Sequence, residues 1–274
     1  MKIGLITVYF GTLPWYFSYF LYTAKFNPDV DFILYTDNNC ADFLIPSNVK
    51  LISFSIEDFN ITATKKLKIP IKVTSSYKLC DFKPAYGTIF QEELSNYDFW
   101  GYCDIDIIWG DIRCFITDKL LERYDVISAR HDYLTGCFSL FRNVEKFRTL
   151  YMESKDYLKV FSTDTHFCFD ETNFAFEEFD QGKHYSEISS PIESMTHVIL
   201  RLYEEKVLKA YFEFQILEGL AGNMLWDNGK IIYRKEFECM FYHLVRFKKI
   251  YSETIDPRKH FVRNRIRIGK KKIY

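Results

Sequence analysis

The feature that most constrains this chain is the alternation of strand-like and helical stretches along its first hundred residues. Residues 2–9 form an apolar run rich in β-branched residues and are closed by Phe10-Gly11-Thr12. A helical pattern follows from about Pro14 to Phe26. Asp31 to Asp37 and Val49 to Phe54 then read as strands. A second helix is expected from Ser55, with Glu57 and Asp58 in its first turn. Lys83-Pro84 is expected to open a helix that carries the chain to Asn96. After it an aromatic strand, Tyr97-Asp98-Phe99-Trp100-Gly101-Tyr102-Cys103, runs into Asp104-Ile105-Asp106. Strands alternating with helices predict βαβ units and an α/β fold, with a mostly parallel central sheet flanked by helices. Ligands of such sheets bind outside the carboxyl ends of the strands. Thr7 to Gly11, Thr36-Asp37 and Asp104 to Asp106 all fall at predicted strand exits.

Beyond Asp111 the pattern changes. Asp125 to Ala129 and Gly136 to Phe141 read as two strands joined by a polar loop, and a helix is expected from about Asn143 to Glu153. Another helix is expected near Asp170, whereas 190–210 shows only weak periodicity. Leu225 to Tyr233, with Asp227-Asn228-Gly229 at its centre, is a strong hairpin signal. Glu238 to Leu244 reads as a last strand. No repeat or low-complexity linker divides the 274 residues. One compact unit is expected, with a first half over 1–110, a second over 111–257 and a basic tail over 258–274.

Within the strand exits, Asp104 and Asp106 stand one residue apart, and in an extended segment they face the same way. Two carboxylates sharing a point repel unless a proton or cation lies between them. Oxygen ligands with open positions suit Mn²⁺ or Mg²⁺.

Four stretches carry a resemblance. Tyr77-Lys78-Leu79-Cys80-Asp81-Phe82-Lys83-Pro84-Ala85-Tyr86-Gly87, Phe99 to Asp106, Gly136-Cys137-Phe138-Ser139-Leu140-Phe141-Arg142-Asn143 and His243-Leu244-Val245-Arg246-Phe247-Lys248 occur in an order similar to that of GT-A-fold glycosyltransferases. The likeness is closest to uncharacterised bacterial members associated with capsule or other surface-polysaccharide synthesis. It implies a Rossmann-like GT-A architecture with a donor-binding first half and an acceptor-side second half. It also implies a nucleotide-sugar donor, a UDP-sugar as the leading expectation, and a glycan or lipid-linked acceptor. On the same basis Asp104, Asp106 and His243 would hold the metal, with Asp104 also reaching the ribose, and Lys248 would contact the departing diphosphate. Lys249 is the alternative, because the glycine and Lys-Pro-Trp ending of related motifs are missing here. Thr7, Tyr9, Phe10 and Asp37 become candidates for the nucleoside, with Tyr9 stacking on the base. Lys83 would reach a phosphate or the donor sugar.

An inverting transferase needs a carboxylate base for the acceptor hydroxyl. Asp170 and Glu171 are the candidates, for that role or for binding donor-sugar hydroxyls. Against this, Asp170 is also a natural helix N-cap. Asp132 is a lesser candidate for the sugar pocket, and nearby His131 has no metal-ligand spacing. A catalytically silent nucleotide- or glycan-binding relative is the alternative from another class. A nucleotidyltransferase is disfavoured by the lack of a Gly-rich loop after the first strand.

The formal net charge of −1 excludes whole-protein attraction to nucleic acid. Seven cysteines without tight spacing suit free thiols and a cytoplasmic setting. The tail from Arg258 to Tyr274 holds eight Lys/Arg and no acid, with Phe261, Val262, Ile266 and Ile268 interleaved. Such a composition suits peripheral contact with anionic lipid.

Overall fold

The computed structural model describes residues 1–252 and 264–274. The strands are β1 (Ile3–Tyr9), β2 (Val30–Thr36), β3 (Val49–Ser53), β4 (Phe99–Cys103), β5 (Ile107–Trp109), β6 (Val126–Ser128), β7 (Phe138–Arg142), β8 (Ala210–Phe212), β9 (Ile216–Leu217), β10 (Met224–Asp227), β11 (Lys230–Tyr233), β12 (Phe237–Cys239), β13 (Phe241–His243) and β14 (Arg265–Ile268). Seven of them form the central sheet in the order β3-β2-β1-β4-β7-β6-β8. Only β7 runs against the others, pairing antiparallel with both β4 and β6. The expected α/β architecture with a mostly parallel sheet is therefore present.

The inner strands are apolar on both faces because both faces are covered. Ile6, Ile33, Tyr35, Trp100 and Tyr102 enter one core cluster. Their neighbours Leu5, Phe32, Leu34, Phe99 and Cys103 enter the other. This is the period-two alternation of a strand, with apolar residues at both phases. Each such side chain, fully buried, is worth about 1.5–3 kcal/mol.

A three-stranded sheet, β5-β13-β9, stands beside the central one, and a four-stranded sheet, β12-β11-β10-β14, completes the second half. The helix Phe17–Ala24 ties β5 to the first half. Thr23 Oγ1 accepts from the Trp109 N–H at 3.0 Å, and the Asn27 side chain bonds both Gly110 O and the Ile112 N–H. The chain leaving β4 is thus held at both ends.

Several expected elements differ. The helix at Pro14–Phe26 is shorter. Lys83-Pro84 does not open a helix: both lie inside the 3-10 helix Ser76–Ala85, followed only by the short helix Tyr86–Ile89. The weakly periodic 190–210 contains a regular helix, Met195–Glu204. Glu238 to Leu244 is split at Met240 between two sheets. The last described residues are not a loose tail, because β14 pairs with β10. Ile266 and Ile268 fill the core rather than facing outward, leaving Arg265 and Arg267 in solvent. Arg258, Lys259, Phe261, Val262 and Arg263 lie outside the described residues. Among the described residues no helix is long and apolar enough to cross a membrane.

Candidate active site

The order of the central strands reverses between β1 and β4, which run parallel side by side, so their carboxyl ends lie at the same edge of the sheet. Asp104 and Asp106 stand there. They are not in an extended strand: β4 ends at Cys103, and the pair lies on the bend before β5. Their convergence comes from anchoring. The Asp104 N–H donates to Cys137 O at 3.1 Å, and the Leu244 N–H donates to Asp106 O at 2.8 Å. The second bond continues the antiparallel pairing of β13 with β5, in which His243 lies opposite Ile107. Register alone therefore delivers His243 to the DxD.

Ligand atoms of Asp104, Asp106 and His243 lie within 4.8 Å of one another. His243 Nε2 is 3.3 Å from Asp106 Oδ2, and Lys248 Nζ donates to the same oxygen at 2.7 Å. Burial would raise the Asp106 carboxyl, but His243 and Lys248 more than offset it and hold it well below the usual carboxylate range. Burial likewise disfavours a charged His243, and Cys137 and Asp106 reverse the effect. Two carboxylates and an imidazole, with a buried oxygen already collecting cationic donors, fit a hard divalent cation.

Glu218, which sequence reasoning missed, completes the support. Its Oε1 is 2.8 Å from His243 Nδ1, and its Oε2 is 3.3 Å from Arg130 Nη1. Arg130 is bonded in turn to Asp132 and covers the Tyr133 ring at 4.5 Å. A carboxylate on the far nitrogen fixes the ring orientation and tautomer of a ligating histidine. Cys137, Glu218 and His243 also bring ligand atoms within 4.8 Å of one another. Burial, however, pushes the Cys137 thiol up to about 11, and Glu218 is engaged by Arg130. We read this trio as support for the imidazole rather than a second centre, since a thiol must lose its proton to ligate.

On the other side Lys83 joins the DxD to a second acidic pair. Its Nζ donates to Asp104 Oδ1 at 2.7 Å and to Gly136 O at 2.8 Å, and lies 3.7 Å from Asp170 Oδ2. Burial disfavours the Lys83 ammonium, but Asp104 and the surrounding acids keep it protonated. Asp170 is raised well above the carboxylate range, first by burial, with Lys83 only partly opposing. Burial raises Glu171 as well, against the Gly136 N–H that donates to its Oε1 at 2.7 Å. Asp170 is not a helix N-cap: the chain here is a series of turns, and the next helix is Phe176–Asp180. A buried pair holds this segment in place. Asp81 accepts from the Phe167 and Phe169 N–H groups at 2.9 and 2.8 Å, while Lys78 Nζ bonds Asp81, Val160 O and Thr165 O.

The other candidates divide. The Thr7 hydroxyl is spent on Cys103 O at 2.7 Å inside the sheet, and Phe10 packs against the core. Asp37 accepts from the Gly11 N–H at 3.1 Å, bracing the turn after β1. Tyr9 lies close enough for Lys248, Asp106 and Asp37 all to act on its phenol, which burial raises. Tyr16, another residue missed from sequence, has its ring centroid 5.8 Å from Lys248 Nζ, and burial pushes its phenol up to about 12. Of the two adjacent lysines, Lys248 is the one bonded to Asp106. Asp132 serves Arg130, and His131 lies against Phe214.

Two solved structures of the galactosyltransferase LgtC, an active-site mutant and a complex with donor and acceptor sugar analogues, align with 80% of this chain. They share 12% identity with it at a TM-score of 0.33, over 75% and 76% of their own chains, a likeness too distant to carry a functional argument. No curated protein matches the chain by sequence. Residues 5–273 match the model of a family of unknown function, DUF6625, and the chain belongs to that family.

Proposed function

We propose that this protein is a divalent-metal-dependent glycosyltransferase that moves a sugar from a nucleotide-sugar donor, UDP-linked, to a glycan or lipid-linked acceptor. The observation that carries the reading is the meeting of Asp104, Asp106, His243 and Lys248 where the strand order reverses, with Lys83, Asp170 and Glu171 alongside. Asp104, Asp106 and His243 would hold Mn²⁺ or Mg²⁺. When bound, the ion supplies positive charge against a diphosphate.

The chain's own groups do the rest. Lys248 and Lys83 are ammonium groups that can exchange a carboxylate partner for phosphate oxygens, where negative charge grows as the glycosidic C–O bond breaks. Tyr9 and Tyr16 line the β1 side, where a base can stack. Burial raises both carboxyls: the partly buried Glu171 suits accepting a proton from an acceptor hydroxyl, and Asp170, held well above the carboxylate range, suits bonding sugar hydroxyls.

Calorimetry of UDP with and without Mn²⁺ tests the binding step. Metal-dependent UDP binding by the native chain and its loss in Asp106→Ala are expected. Absence of that binding, or an unaffected Asp106→Ala, would sink the reading. A hydrolysis screen over UDP-, GDP- and CMP-sugars then identifies the donor.

A further inference from the structure

The segment that carries Asp170 and Glu171 also carries an unusual backbone. Cys168, Asn173 and Phe174 have φ of 51°, 54° and 68°, in the left-handed region that bulky L residues avoid. Asn173 is locked there: its N–H donates to Cys168 O at 2.9 Å, its side chain donates to Phe167 O at 2.6 Å, and its Oδ1 accepts from Ser190 Oγ at 2.8 Å. An aromatic residue in such a conformation usually recovers the cost by burying its ring. Phe174 does not, being 57% exposed.

Its ring meets a partner instead. The His166 imidazole stands edge-on to Phe174, centroids 5.4 Å apart, and tilted against Tyr77 at 5.9 Å. Tyr77 is itself 72% exposed. Beneath this row, ligand atoms of His166, Asp81 and Asp170 lie within 4.8 Å of one another, and His166 Nε2 has no hydrogen-bond partner. Asp170 leads through Lys83 to Asp104. Tyr77 and Phe174 are therefore exposed next to the acidic pair, Phe174 held out by its own strained backbone, while His166 between them is mostly buried. Backbone strain of this kind gathers at functional sites.

We propose that the exposed rings of Tyr77 and Phe174, each set at an angle to the His166 ring between them, form an aromatic platform for a pyranose ring of the acceptor, an assignment that rests on the transferase reading above. A pyranose presents an apolar C–H face to an aromatic ring face and a rim of hydroxyls to polar groups. The platform supplies the ring faces, and Glu171, only partly buried in the same segment as Phe174, can supply an acceptor. No cation of this row faces solvent, which suits a neutral ligand better than a phosphate.

Saturation-transfer NMR on the full chain, with lactose, cellobiose and chitobiose as probes, tests this, alongside UDP–Mn²⁺ calorimetry on the same samples. Transfer to at least one disaccharide is expected. Its affinity should fall about five- to tenfold in Tyr77→Ala and in Phe174→Ala, the loss of one ring contact. Phe174→Trp should retain it. Phe174→Gly relieves the backbone strain, so it keeps the fold secure while removing the ring, and it should lose the saccharide as fully as Phe174→Ala. No transfer from the native chain, or undiminished transfer in both Tyr77→Ala and Phe174→Gly, would overturn the platform. Weakened UDP binding in these variants would overturn it too, assigning the rings to the donor base. Saccharide binding lost in the variants, with no UDP binding by the native chain, would uphold the platform and remove the transferase reading instead.

Discussion

At the scale of single residues, Glu218 would decide how well His243 serves the metal proposed above. Burial raises its carboxyl, yet His243 and Arg130 together lower it below the ordinary value, so it stays ionised against the imidazole. Glu218→Gln keeps the shape and removes the charge. Mn²⁺ affinity measured by titration in the presence of UDP should then fall about 10–100-fold, with the thermal midpoint little changed. Equal affinity in the variant would show that the carboxylate does not support the ligand. Asp104 and Asp106 stood out in the sequence by residue type and spacing, whereas His243 and Lys248 were expected only from the resemblance to GT-A transferases; the fold brings the four side chains together. Glu218 was not: it is a lone acid in 218–223, a stretch without periodicity, and only the pairing of β9 with β13 brings it beside His243.

At the scale of elements, the bend after β4 and the turns over 168–175 are the two pieces that position chemistry. Gly136, leading into β7, sits between them. A Cβ built there would lie 2.5 Å from Asp170 Oδ2, closer than real Cβ contacts come, and 3.0 Å from Glu171 Cδ, at their tight end. Gly136→Ala must therefore displace the Asp170 carboxyl, which lies 3.7 Å from Lys83, and crowd Glu171. An overpacking cost of about 1–3 kcal/mol is expected, read as a lower denaturation midpoint. On the transferase reading proposed above, sugar-transfer rate should drop further than that loss of folded protein explains, and an unchanged rate in the folded fraction would show that the carboxyl positions do not matter. Local signals did predict some elements well. Ser55 caps the helix Ile56–Leu67 through a reciprocal pair of bonds with Asp58, and Asn228-Gly229 turns the hairpin of β10 and β11. They failed around Asp170 because its surroundings are set by remote partners: Asp81 from below and the Met195–Glu204 helix from beside.

At the scale of the whole molecule, a mostly parallel sheet was legible from the alternation of strand-like and helical stretches. The insertion of antiparallel β7 between β4 and β6 was not, since pairing partners leave no trace in a strand's own composition. The central sheet and the three-stranded sheet beside it together gather residues from the start, middle and end of the chain into one site, so the site depends on global stability. The Met195–Glu204 helix shows how. Its first turn grips the acidic segment, with the Met195 N–H on Phe169 O at 2.9 Å and the Thr196 N–H on Glu171 O at 3.1 Å. His197, in that turn, is buried with Nδ1 2.8 Å from Ser194 Oγ, its ring against Phe179 and its Nε2 without a partner. Burial lowers its proton affinity below the ordinary histidine value of 6.5, with Glu193 and Lys155 as opposing minor influences. The unfolded chain therefore takes up this proton first as pH falls. The stability associated with neutral His197 is fully present above pH 6.5 and is lost progressively below it, down to the lower pKa of the folded state. Denaturation midpoints measured between pH 8 and pH 5 should fall on the acid side. In His197→Leu the slope over that acid limb should be shallower by up to about 1.4 kcal/mol per pH unit, the effect of one proton. Identical slopes in the two proteins would show that His197 is not the group that loosens the helix from Glu171.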